Sequence, residues 1–309
     1  MARNRFQVDR GLTARMITTM FLLGLVYAIA VTAALIAGAR VELVVGIAAI
    51  FLIVQFFFSD RIALWSMKGE IVTAEQEPKL HAIVDRLCAL ADMPKPRVAI
   101  ARSDIPNAFA TGRSQKAAVL CVTQGILRRL SPEELEAVLA HELSHVAHRD
   151  VAVMTIASFL GILAGLVTRM LAWGFLLGGG RGGRNNQSAG PLIVVELAAL
   201  AFSAVIYLIS FLLVRALSRY RELAADRSGA ILIGQPRTLA NALIKVTGDI
   251  GRIPTRDLRT AQAFNAFFFA PALTNGSGVS ISALFATHPP LQVRLDQLAK
   301  LEAQMGRTA

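Results

Sequence analysis

His141, Glu142 and His145 are three residues whose types and spacing can do chemistry together. Histidines four apart lie on one face of a helix, one turn from each other, so both imidazoles can reach a single ion. Glu142, beside the first histidine, can reach a water in the open coordination position without being a ligand. A catalytic zinc needs three protein ligands and one vacancy. Downstream, the run Arg221 to Asp226 offers Glu222 and Asp226 on one face of a second helix. Glu222 is read as the third ligand, and Asp226, one turn on, as the acceptor of a ligand histidine's spare ring N–H. The alternative is that these acids pair with Arg219 and Arg227 on a solvated face. His148 follows His145 by three residues with no glycine to break the helix. It is carried about 10 Å along the axis from His141 and reads as a surface or partner-bound histidine.

The element that must position this chemistry begins at Ser131. Ser131 suits an N-cap, Pro132 the first helical position, and Glu134 the third position of a capping box. Leu135, Ala137, Val138, Leu139 and Ala140 then carry the helix to the histidines without a breaker. H-E-x-x-H on such a helix is the arrangement of zinc-dependent peptidases. A solvated helix with incidental histidines is the alternative.

The whole chain bounds where this helix can live. Its 309 residues are 54% hydrophobic with a positive mean hydropathy, too apolar for an ordinary soluble protein of this length. The formal charge of +11 gathers where apolar runs begin or end. Arg3, Arg5, Arg10 and Arg15 precede the first run, and Arg215, Arg219, Arg221 and Arg227 gather at and after the end of the last. That placement fits membrane orientation and anionic headgroups rather than nucleic acid. Cys88 and Cys121 have no metal-type spacing and read as reduced thiols in a core.

Four membrane spans are expected. Met16 to Gly38 and Val44 to Phe58 form a first hairpin, with the turn around Gly38 to Glu42 and the second span short. Val151 to Leu177, read as the zinc helix or one continuous with it, and Pro191 to Leu217 form a second, joined by a Gly, Arg, Asn and Ser connector from Gly178 to Gly190. Arg169 and Glu196 fall at similar depth in that hairpin and read either as a pair or as separately snorkelling charges. The chain divides into 1–58 (basic segment and hairpin), 59–150 (first catalytic part), 151–217 (second hairpin) and 218–309 (second catalytic part). Within 59–150, Pro78 to Ala91 has helical spacing, and Val98 to Ile100 and Ala117 to Val122 read as strands. Pro236 to Val246 and Pro290 to Met305 read as further helices. Phe264, Phe267, Phe268, Phe269 and Phe285 read first as core, with a substrate cleft or lipid contact as alternatives. Both halves of the site leave the apolar runs within roughly 8 to 9 Å, at the membrane surface.

His141-Glu142-x-x-His145 before an apolar span, Arg219-x-Arg221-Glu222-x-x-Ala225-Asp226 after another, and Thr287-His288-Pro289-Pro290 near the end together resemble the HtpX family. The resemblance implies an integral-membrane zinc metallopeptidase related to the CaaX prenyl endopeptidases. The expected architecture is mostly α, with four transmembrane helices and a cytoplasmic α+β zincin-like domain. The implied activity is quality-control cleavage of misfolded or damaged membrane proteins and unfolded polypeptides at the bacterial inner membrane. One zinc ion per chain, both termini and the active site in the cytoplasm, the lipid bilayer as partner and no nucleic acid complete that expectation. The same resemblance places His288 near the metal as an oxyanion donor. A reversible fourth ligand, or a capping or core histidine, are its other readings. It makes Asn107, Ala108, Phe109 and Ala110 a strand edge for substrate backbone, against the plainer reading of a packed hairpin. Three rival functions are disfavoured. An intramembrane protease would not carry Arg149 and Asp150 after its motif, a zinc scaffold would not need Glu142, and a transporter would show paired broken helices.

Overall fold

Val119 to Thr123 is buried at every position, as a strand covered on both faces must be. It is the inner strand β4 of a small mixed sheet. The structure is a computed structural model and describes residues 6, 9–36, 42–150, 152–157, 189–251 and 288–306. Along the chain come α1 (Arg10–Ile36), α2 (Glu42–Ser66), β1 (Gly69–Ile71), α3 (Pro78–Ala91), β2 (Arg97–Ala101) and β3 (Ala108–Thr111). A 3-10 turn, Gln115–Ala117, precedes β4 (Val119–Thr123). Then follow α4 (Gln124–Arg129), α5 (Pro132–His148), α6 (Ala189–Ile233), α7 (Pro236–Gly251) and α8 (Leu291–Met305).

The sheet order is β1-β2-β4-β3. β2 and β4 run parallel, while β1 and β3 are antiparallel to their neighbours. Alternation along the strands sends Val98, Ile100, Leu120 and Val122 into the main core with α3, α5, α7 and α8. Ala99, Ala101, Val119, Cys121 and Phe109 face the other way, onto Ala63, Leu64 and Met67 of and just after α2. The sheet is thereby docked on the end of an apolar helix. Cys88 and Cys121 are free and buried. Burial pushes the Cys121 thiol up to about 12.

Among the described residues, two helices are long and apolar enough to cross a membrane, within Arg10–Thr32 and Leu197–Ile233. α1 and α6 pack through Leu12, Leu217 and Ala224, and the Arg15 guanidinium stacks 4.1 Å over the Tyr220 ring. Large apolar side chains point outward along them, among them Ile17, Phe21, Phe202 and Val205. α2 is a 25-residue helix, longer than the Val44 to Phe58 run because the helix continues through Asp60 and Arg61 to Ser66. Arg169, the Gly178 to Gly190 connector as far as residue 188, and the phenylalanines from Phe264 to Phe285 lie outside the described residues. Glu196 is on α6, but its side chain is also outside them.

α5 does not continue into the next apolar run as expected. It ends at His148, and Arg149 adopts the left-handed conformation at φ 57, ψ 22. A non-glycine residue there costs about 1 to 2 kcal/mol. The turn brings the Asp150 carboxylate back to His145, 2.9 Å from its Nδ1, a buried contact that offsets the strain.

Candidate metal centre

The local chemistry of α5 is that of its sequence. The Ser131 hydroxyl accepts the Glu134 backbone N–H at 3.2 Å, and the Glu134 carboxylate accepts the Ser131 N–H at 2.9 Å, closing a capping box. From Leu135 to Val146 every residue is buried. The helix therefore runs through the protein's interior, and the reading of incidental histidines on a solvated face is excluded.

α6 crosses this helix at the histidines. A side-chain carbon at Gly229 would lie 2.8 Å from the His141 backbone nitrogen, so only glycine permits this approach. Two turns earlier on α6, Glu222 reaches across. Its Oε2 lies 3.6 Å from His141 Nε2 and its Oε1 3.6 Å from His145 Nε2. Ligand atoms of the three residues all lie within 4.8 Å of one another. Ligands bonded to zinc at ~2.0 to 2.1 Å in a tetrahedron stand about 3.4 Å apart, so this donor set fits a small divalent ion with modest contraction.

The far side of each imidazole is also held. Asp226 Oδ1 stands 2.9 Å from His141 Nδ1, and Asp150 Oδ2 accepts from His145 Nδ1 at 2.9 Å. Carboxylates on both Nδ1 atoms leave both Nε2 lone pairs for a metal. Burial by itself would lower the His141 pKa, but Asp226, Glu222 and Glu142 outweigh it and raise the imidazole to about 9. The cluster thus calls for positive charge at its centre, supplied by protons or by a cation. Burial pushes the Glu142 carboxyl up, against the pull of His141 and His145, toward the range useful to a general base.

Glu142 is fastened to the sheet as well, since the Ala110 backbone N–H donates to its Oε2 at 3.0 Å. β3 is the strand at the end of the sheet, beside this carboxylate. The Asn107 carbonyl accepts from Thr123 N–H and its N–H donates to the Thr123 hydroxyl, so Asn107 faces β4. By alternation the backbone of Ala108 and Ala110 faces the outer edge. The expected segment is thus half edge and half ladder. His288 arrives from the chain before α8, buried, with Nδ1 3.2 Å from Glu222 Oε2. Its Nε2 has no hydrogen-bond partner among the described residues. His148 stays on α5, half-buried, its Nδ1 donating to the Ser144 carbonyl at 2.8 Å.

Sequence reasoning missed four residues. Glu222 and Asp226 do pair with arginines, but with Arg221 at 2.8 Å and Arg294 at 2.6 Å, not with Arg219 and Arg227 on a solvated face. Asp150 was visible only as a charge after the motif, and Gly229 as an ordinary helical glycine. Arg294 had a faint signal, a charge among the apolar positions of an amphipathic helix.

Comparisons with known proteins agree with this geometry. The chain matches Peptidase family M48 over residues 74–302. Protease HtpX homolog 1 of Streptomyces coelicolor is 56% identical over 98% of this chain and 97% of that protein. The Protease HtpX homolog of Moorella thermoacetica is 51% identical over 98% of each. Among solved structures, Ste24p of S. mikatae superposes with a TM-score of 0.53 at 16% identity, covering 96% of this chain and 68% of that one, a likeness of fold. A matched family domain that contains the motif helix and the helix crossing it, with relatives at half identity over nearly the full length, makes the chain a metallopeptidase of family M48, among the HtpX proteases.

Proposed function

We propose that the chain is a zinc-dependent membrane endopeptidase that cleaves misfolded or damaged membrane proteins on the cytoplasmic side of the bacterial plasma membrane. The observation that carries the reading is the convergence of His141, His145 and Glu222 beside Glu142, on helices whose neighbouring segments are apolar and outward-facing. Two imidazoles and a carboxylate suit zinc. When bound there, zinc would polarise the scissile carbonyl and lower the pKa of the attacking water. Glu142 takes the water's proton and passes it to the leaving amine. The Ala110 N–H holds one carboxylate oxygen of Glu142 still, leaving the other for that transfer. His288, buried beside Glu222, is the donor for the developing oxyanion. An extended, unfolded stretch of substrate pairs with the outer backbone of Ala108 and with the Ala110 carbonyl, which demands no particular sequence.

The orientation rests on charge. Arg10 and Arg15 at the start of α1 lie alongside Tyr220 to Arg227 on α6, joined by the Arg15 to Tyr220 stack. The site-bearing end of both helices is thus the basic end, which the positive-inside rule places in the cytoplasm. Trp65, highly exposed at the end of α2, suits the headgroup layer.

Purified Glu142→Gln should keep its zinc by elemental analysis and lose at least about a hundredfold in peptide cleavage. Turnover retained with contaminating proteases excluded overturns the mechanism. Cleavage mapping in a reconstituted membrane substrate should find cuts in cytoplasmic loops. Cuts confined to the opposite loops overturn the orientation.

A further inference from the structure

We propose that Arg294 is a positioning residue of the metal centre, acting through Asp226 on His141. The inference rests on the metal reading above. Arg294 and Asp226 are both fully enclosed, at 1% and 0% exposure. The guanidinium grips the carboxylate as a fork, Nε to Oδ2 at 2.6 Å and Nη2 to Oδ1 at 2.6 Å, a geometry that arginine alone offers. The same Oδ1 stands 2.9 Å from His141 Nδ1. A carboxylate held by one contact can swing about its side-chain torsions, but one held by a planar fork cannot.

Fixing Asp226 fixes the imidazole. With an ionised acceptor at Nδ1, the proton of a neutral His141 stays on that nitrogen and the Nε2 lone pair points toward Glu222. Without the guanidinium fork, nothing holds the Asp226 carboxylate in plane, and it is free to turn away from His141 Nδ1. His141 would then lose its specified tautomer. Arg294 lies on the first turn of α8, six residues after His288. Gln297, almost one turn further, donates to the Leu223 carbonyl on α6 at 2.9 Å. These two contacts align α8 along the ligand-bearing stretch of α6, so docking of the C-terminal helix and metal affinity become one event.

The test uses the full-length chain in detergent, stripped of metal and titrated with zinc against a chromophoric chelator, with apo-protein melting followed in parallel. Arg294→Met should weaken zinc by about 10- to 100-fold and lower the apo melting temperature. Arg294→Met combined with Asp226→Leu removes both charges and should recover much of the melting temperature, since no buried charge is left alone. Its zinc affinity should stay low, because the acceptor is gone. Affinity that recovers together with melting makes the role structural and overturns the proposal. Should Arg294→Met fail to fold, Arg294→Lys keeps the charge and gives up the fork. A several-fold loss of zinc affinity is expected there, and wild-type affinity overturns the proposal. Wild-type protein that holds no stoichiometric zinc overturns the metal reading itself, whereas wild-type binding with unaffected variants overturns this inference alone.

Discussion

The two histidines of α5 occupy one helical face yet are oriented by different parts of the protein. His145 takes its carboxylate from Asp150, five residues on, across a tight turn at Arg149. His141 takes its own from Asp226 on another helix, and that carboxylate is gripped in turn by Arg294 on a third. Asp150 Oδ1 has no hydrogen-bond partner among the described residues, while both oxygens of Asp226 are engaged. One half of the centre is thus preformed locally, and the other exists only when three helices are assembled. A metal that bridges the halves links local and global order, which is how metal binding becomes coupled to folding.

The comparison can be broken most forcefully at the residue both halves share. Glu222→Ala removes the carboxylate facing both Nε2 atoms and should leave purified protein without stoichiometric zinc by elemental analysis. Tight binding that persists moves the third ligand elsewhere. The next largest effect separates the halves. Asp226→Ala leaves the Arg294 guanidinium buried and unpaired, and should cost about 3 to 5 kcal/mol of stability. Asp150→Ala strands one ring nitrogen of His145 and takes one charge partner from the buried Arg221, which keeps Glu222, and should cost about 1 to 3 kcal/mol. Denaturant unfolding of the two apo variants measures this, and equal losses remove the asymmetry. The smallest effect is at the helix start. Ser131→Ala should cost about 1 kcal/mol and leave zinc affinity unchanged, since Ser131 lies more than two turns from His141. A fall in affinity would mean that the end of α5 is not independent of its centre.

The parts of the site legible in the sequence share a physical character. The capping box from Ser131 to Glu134 and the histidine pair are set by contacts within four residues, where helical periodicity alone dictates geometry. The helix over Pro78 to Ala91 and the strands over Val98 to Ile100 and Val119 to Val122 were legible for the same reason, whereas Ala117, expected in the second strand, ends the 3-10 turn before it. The end of α5 was not. Arg149 carries no breaker signal, and its left-handed turn is stabilised by a side chain contact that no propensity encodes. β1 was missed because three residues are too few for a pattern, and it is a strand only through pairing with Ala99 to Ala101.

By itself the sequence determined the chemistry on offer: two imidazoles and a general base on one capped helix, a carboxylate pair on a second, and apolar runs beside both. Tertiary structure decided which groups meet. It set Glu222 facing both Nε2 atoms through the glycine crossing at Gly229, turned Ala108 and Ala110 rather than Asn107 toward the edge, and brought Arg294 from 68 residues along the chain to Asp226. The reason is that a buried charge is tolerable only beside its partner. That partner can come from any helix the fold packs against it, so sequence spacing holds no record of the choice.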